Sequence, residues 1–148
     1  MASSATTRGE IERLIPHRDP FLFVDRIVTR TADRIVCEWD VPADLDAFRG
    51  HYPAQPVLPG VLICELAFQS AACLLAPEAQ ATPGAVPVLT RIEDARFRRD
   101  VRPGETLRAD VEVAQRVGPA RYCRGTVACG GETVAQLAFT VLLSALER

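Results

Sequence analysis

The sequence predicts an α+β domain in which one long apolar helix packs on a curved antiparallel sheet. Three observations carry that expectation. Two strand-like stretches precede a 16-residue apolar run, four more follow it, and turns bearing Gly or Pro separate those four. With 148 residues the chain fits one domain, because a core of this size buries about two-thirds of the surface that an unfolded chain exposes.

Residues 1–8 are small and polar and are expected to fray, leaving 9–148 as a single domain. A short amphipathic helix is expected at Glu10–Leu14, ended by Pro16. Phe21–Thr29 and Arg34–Val41 are rich in branched and aromatic residues, and the polar Thr31-Ala32-Asp33 between them marks a strand pair. Pro53, Pro56 and Pro59 forbid both helix and central strand over 50–60 and leave a stiff loop. From Val61 the run VLICELAFQSAACLLA has the composition and length of a buried helix, with Pro77 as its stop. After a loop over 77–87, the stretches Val88–Arg99, Thr106–Gln115, Arg121–Cys129 and Thr133–Leu143 read as an antiparallel meander. Pro103-Gly104, Gly118-Pro119 and Gly130-Gly131 supply its turns. The helix is apolar nearly all round, so a second subunit is expected to help the sheet cover it.

Composition narrows the function classes. A hydrophobic fraction of 48% and a charged fraction of 24% belong to an ordinary globular protein. The formal charge of -2 gives no positive field for nucleic acid or membrane, so neither is expected as a partner. All 17 cationic residues are Arg, which reads as coding bias rather than chemistry. No apolar run reaches signal-peptide form or the roughly 20 residues of a membrane span, so a cytoplasmic location is expected. Cys37, Cys64, Cys73, Cys123 and Cys129 form no CxxC pair and no zinc spacing with His; buried free thiols and no metal are expected.

The chain has two histidines. His17, in IPHRDPF, sits beside two prolines where a positional or capping role competes with a catalytic one. His51 lies in the proline-stiffened loop, and stiffness is what a general base needs, since a misplaced imidazole forfeits proximity. Glu65 is the lone charged residue between His51 and Glu78, and a helix there carries its carboxyl among Val61, Leu62, Ile63, Leu66 and Phe68. Burial raises a carboxyl pKa, and a carboxyl held protonated near neutrality can donate a proton. The competing reading is a Glu solvated at a helix edge or hydrogen-bonded to Gln69 one turn on. Pro59-Gly60 opens the helix, where free N–H groups can hold a developing oxyanion and glycine permits close approach. A base, a buried acid and an oxyanion site suit abstraction of a proton beside a carbonyl with loss of water.

The blocks IPHRDPFLFVDRI, FRGHYPAQPVLPGVLICELAFQSA and ARFRRDVRPGETL resemble the FabZ family of 3-hydroxyacyl-acyl-carrier-protein dehydratases along nearly the whole chain. The resemblance implies a hot-dog fold, a curved antiparallel sheet wrapped around one long central helix, paired into homodimers and often trimers of dimers. It implies that His51 and Glu65, the latter from the partner subunit, are the catalytic pair. It implies that the Gly60 N–H polarises the thioester carbonyl and that the Val57 carbonyl orients His51. No metal or redox cofactor is implied; the substrate arrives on the phosphopantetheine arm of acyl carrier protein. Related dehydratase-isomerases carry Asp in place of Glu65, which points to dehydration without double-bond migration.

Asp19, Tyr52, Ala54-Gln55, Arg91 and Asp100 depart from the family's usual Tyr, Phe, Gly-Asn, Gly and Pro. These changes bear on acyl length and on the choice between fatty-acid and polyketide pathways. Arg96, Arg98, Arg99 and Arg102 concentrate positive charge that would steer an acidic carrier protein, although Asp94, Asp100 and Glu105 lie close enough to make a mixed, solvated edge instead. Two rival readings are a hot-dog acyl thioesterase, which has no use for the His-Pro loop, and a non-catalytic acyl-binding subunit, whose expected mark is loss of His51 or Glu65.

Overall fold

The computed structural model describes residues 6–145. Its elements run α1 (Arg8–Leu14), β1 (Arg26–Arg30), β2 (Arg34–Asp40), α2 (Ala47–Gly50), α3 (Gly60–Gln80), β3 (Ala85–Phe97), β4 (Thr106–Val117), β5 (Ala120–Cys129) and β6 (Glu132–Ala145). The strands form one antiparallel six-stranded sheet in the order β1-β2-β4-β5-β6-β3. The sheet wraps α3, which touches every strand from β2 to β6. This is the hot-dog arrangement.

Alternation along the strands produces the wrap. On β4, Leu107, Ala109, Val111 and Val113 are buried while polar residues face out, and on β5 Cys123, Gly125 and Val127 do the same. At Gly125 the helix comes close: a Cβ there would lie 3.4 Å from the Ala67 Cβ and 3.5 Å from Leu137 and Val111. The outward face of β1, β2 and β4 carries a lattice of ion pairs. Arg26 binds Glu38 at 2.8 Å and Asp40 at 2.7 Å, Arg108 binds Glu38 at 3.0 Å, and Arg34 binds Asp110. The Arg26 guanidinium, with the Thr106 hydroxyl, holds the Asp40 carboxyl down to about 2.

Several sequence expectations are corrected. The last four strands are not a plain meander: β4, β5 and β6 follow one another, but β3 skips β4 to pair with β6, and β2 takes the place beside β4. Pro77 does not stop α3, which continues to Gln80. A proline this near the C-terminus removes one hydrogen bond. The turn beyond it is tied down by the Ala81 N–H donating to the Pro77 carbonyl at 3.2 Å and by Glu78, which pairs with Arg116 at 3.1 Å and Arg121 at 3.0 Å. The 21-residue helix thereby reaches membrane-crossing length with a mean hydropathy of 1.6, yet its apolar window is 67% buried inside the fold.

Within the chain, the sheet is not alone in covering α3. Ile11 and Ile15 around α1, and Leu22, Phe23 and Val24, join the same core from the N-terminal side. Those three consecutive buried residues explain why the first strand begins at Arg26 rather than Phe21: the Phe23 N–H is taken by the Gln69 side chain at 2.8 Å instead of a neighbouring strand. Of the segment 1–8, residues 1–5 lie outside the described residues. Thr6 bridges Ile27, and Thr7 caps α1 in a capping box with Glu10.

Candidate active site

His51 closes α2 and opens the proline loop. The far end of that loop is pinned by the Leu58 N–H, which donates to the Val101 carbonyl at 2.8 Å. Between these anchors the His51 Nδ1 lies 2.8 Å from the Val57 carbonyl oxygen. A carbonyl can only accept, so Nδ1 carries the proton, and it is Nε2 that has a lone pair whenever the ring is neutral. The Tyr52 ring stands edge-on to the imidazole, centroids 4.7 Å apart, and its backbone is left-handed with φ of 52°.

Gly60 begins α3 behind Pro59, whose N-cap position offers no side-chain acceptor. The first N–H groups of the helix are left for another oxygen, at the positive end of the dipole. The Phe97 ring lies over this residue so closely that a Cβ on Gly60 would sit 2.9 Å from its Cε1. Leu58, Gly60, Ile63, Phe97, Arg98 and Arg99 help line a cleft of about 570 Å³.

Glu65 sits one turn further along α3, its side chain 20% exposed. Burial pushes its carboxyl above the usual carboxylate range, opposed by a hydrogen bond that Gln69 Nε2 donates to Oε1 at 3.1 Å. The two alternatives read from the sequence, burial and a bond to Gln69, are thus both realised. Gln69 is fully buried and immobile: its Oε1 accepts the Phe23 N–H at 2.8 Å and its Nε2 also donates to the Phe21 carbonyl at 2.9 Å. His17 completes the group, with Nε2 3.8 Å from the same Glu65 oxygen. Burial first and the Arg18 charge second lower the His17 pKa, so the ring is neutral at pH 7. Among the described residues, the side chains that reach the Glu65 carboxyl by a hydrogen bond or ion-pair contact are therefore Gln69 and His17.

The four arginines do not form one free patch. Arg96 is on Asp94 at 3.0 Å, Arg99 on Glu105 at 3.2 Å and Glu132 at 3.4 Å, and Arg102 on Asp100 at 3.0 Å. Arg98 binds the neutral Gln136 at 2.8 Å and has no carboxylate partner among the described residues. The site residues that sequence reasoning undervalued are Gln69 and His17. Gln69 carried a signal in its position one turn after Glu65, whereas the approach of His17 across 48 positions leaves no local trace.

An ApeI-like dehydratase family model, described as ApeI dehydratase, matches residues 28–132. A 3-hydroxyacyl-[acyl-carrier-protein] dehydratase FabZ of Anaeromyxobacter sp. (strain K) is 40% identical over 93% of this chain and 90% of its own. The corresponding FabZ of Halalkalibacterium halodurans is 38% identical over 88% of this chain and 93% of its own. Among solved structures, a chain of the dehydratase heterocomplex ApeI:P from Xenorhabdus doucetiae superposes with a TM-score of 0.77 at 16% identity, covering 90% of each chain, which speaks to fold alone. With sequence matches of this strength along nearly its full length, the chain belongs to the FabZ-type family of 3-hydroxyacyl-[acyl-carrier-protein] dehydratases.

Proposed function

We propose that this protein dehydrates 3-hydroxyacyl thioesters on acyl carrier protein to trans-2-enoyl thioesters in the cytoplasm, with His51 as base and Glu65 as acid. The observation that carries the assignment is the 2.8 Å contact of His51 Nδ1 with the Val57 carbonyl: with Nδ1 committed there, Nε2 of the neutral ring is the free base. Nε2 takes the proton from C2, and the electron pair moves toward the thioester oxygen, which the Gly60 N–H receives. When the pair returns to form the C2–C3 double bond, the C3–O bond breaks and Glu65 delivers its proton to the departing hydroxyl, giving water. Burial of Glu65 supports that role by keeping its proton on nearer to neutral pH. These are two proton transfers with no net redox change, so side chains suffice and no cofactor beyond the carrier's phosphopantetheine is called for.

Among the described residues His51 and Glu65 share no hydrogen bond or ion pair, and in this reading the pair is completed in a homodimer. β3 supports this reading. It is a 13-residue edge strand that exposes Leu89, Ile92 and Phe97, a surface suited to a second copy. Carrier docking falls chiefly to Arg98, at the rim of the Gly60 cleft, with Arg96, Arg99 and Arg102 around it already sharing their charge.

The test is turnover of 3-hydroxybutyryl carrier protein followed by enoyl absorbance, with free thiol monitored in parallel. The wild type should form enoyl product without thiol release, and His51→Ala should lose at least about a hundredfold in rate while staying folded. Thiol release without enoyl product would overturn dehydration in favour of a thioesterase, and an active His51→Ala would overturn the base.

A further inference from the structure

We propose that His17 is a positioning residue that stabilises the Glu65 carboxylate as it forms, acting with Gln69 on the same oxygen. The inference rests on the reading of Glu65 as the acid. Gln69 Nε2 donates to Oε1 at 3.1 Å, and His17 Nε2 stands 3.8 Å from that same Oε1. Neither addresses Oε2. The transferable proton therefore belongs on Oε2, and Oε1 is the end of the carboxyl that the protein holds.

The His17 tautomer follows from its surroundings. Its Nδ1 is enclosed and has no hydrogen-bond partner. An enclosed N–H without an acceptor is the rarer and costlier orphan, so Nδ1 is left bare and Nε2 carries the proton, aimed at Oε1. The ring is neutral, and the nearby Arg18 does not compete for Glu65, because its guanidinium is spent on the carbonyls of Ile15, His17 and Glu12. The neighbouring Cys64 thiol is held protonated by burial and by the Glu65 charge itself. Thus, among the described residues, Gln69 meets the Glu65 carboxyl from its own helix and His17 meets it from the segment before β1, while Cys64 and Arg18 are the other titratable or charged groups beside them.

At 3.8 Å the imidazole nitrogen stands just beyond hydrogen-bond length from Oε1. Once Glu65 gives its proton to the leaving hydroxyl, Oε1 becomes anionic and draws the donor in, and charge-assisted bonds are the strong ones. An interaction that strengthens only as charge develops raises turnover rather than substrate affinity.

The experiment compares wild type, His17→Phe, His17→Gln and Glu65→Gln on carrier-linked 3-hydroxybutyrate across pH. His17→Phe keeps a ring of similar shape without the donor. It should lower kcat about tenfold at unchanged KM. The high-pH limb of its profile should move upward, because a carboxylate that loses a donor has a higher pKa. His17→Gln restores an N–H and should return both properties toward wild type. A kcat loss with an unmoved high-pH limb, or a loss confined to KM, would overturn the proposal and leave His17 a structural residue. An active Glu65→Gln would instead overturn the reading of Glu65 as the acid. Nitrogen-15 NMR of the wild type gives an answer independent of variant folding: His17 should be protonated at Nε2, and a proton on Nδ1 would exclude the proposal.

Discussion

Glu65, the proposed acid, shows how a buried carboxyl is kept at the expense of the fold. Its folded pKa is raised by burial, so the fold favours the neutral form. For a group shifted in that direction the favourable contribution is full below the unfolded pKa, about 4.3 for Glu, and is lost as pH rises through the folded value. Glu65→Gln removes the titration while preserving shape. Its melting temperature should match that of wild type near pH ~4 and exceed it by about 2 °C or more near pH ~8, while dehydration is abolished. Thermal melts at the two pH values check this, and a gain that shrinks with rising pH would contradict the burial argument. The burial of Glu65 was legible because a single charge in an apolar run is conspicuous, and so was the fixed setting of His51, held in a run of prolines. His17 was not, since its meeting with Glu65 depends on how the chain returns across α3.

At the scale of elements, the helix and strands that carry strong local chemistry were readable. The Gly130-Gly131 turn, with φ of 58° and 82°, has the left-handed pair a tight hairpin requires, and β5 and β6 meet there as expected. The pairing of β3 with β6 was not readable, because it joins strands separated by β4 and β5 and leaves no signature in either sequence. The end of α3 was misread because the usual reading of Pro77 as a terminator ignores the Glu78 ion pairs, which come from β4 and β5. Helix-to-sheet contact at Gly125 yields a sharp expectation. A Cβ there would already touch Ala67, Leu137 and Val111, so the further methyls of a larger side chain must push against residues inside the wrap. Gly125→Val should therefore cost about 1–3 kcal/mol by overpacking, measured by denaturant unfolding. An unchanged midpoint would mean that α3 can move off the sheet freely.

For the whole molecule, the proposed pairing of His51 with Glu65 of a second copy can be tested directly. His51→Ala and Glu65→Ala proteins, each nearly inactive, can be dissociated and remixed. Half of randomly paired dimers are mixed, and each mixed dimer holds one intact site, so about a quarter of sites should recover. No recovery despite demonstrated subunit exchange would place both residues in one chain's site. The outward lattice that joins Arg26, Arg34 and Arg108 to their carboxylates bears on such an assembly in another way. Acyl thioesters are acyl donors to free amines, and a protein that handles them continually is bathed in its own modifying reagent. A lysine in that lattice would be a target whose acylation erases a charge. The chain has none: each of its 17 cationic side chains is a guanidinium, which stays protonated and is a poor nucleophile at any physiological pH. The charge pattern of this enzyme's surface is therefore one that its own substrates leave intact.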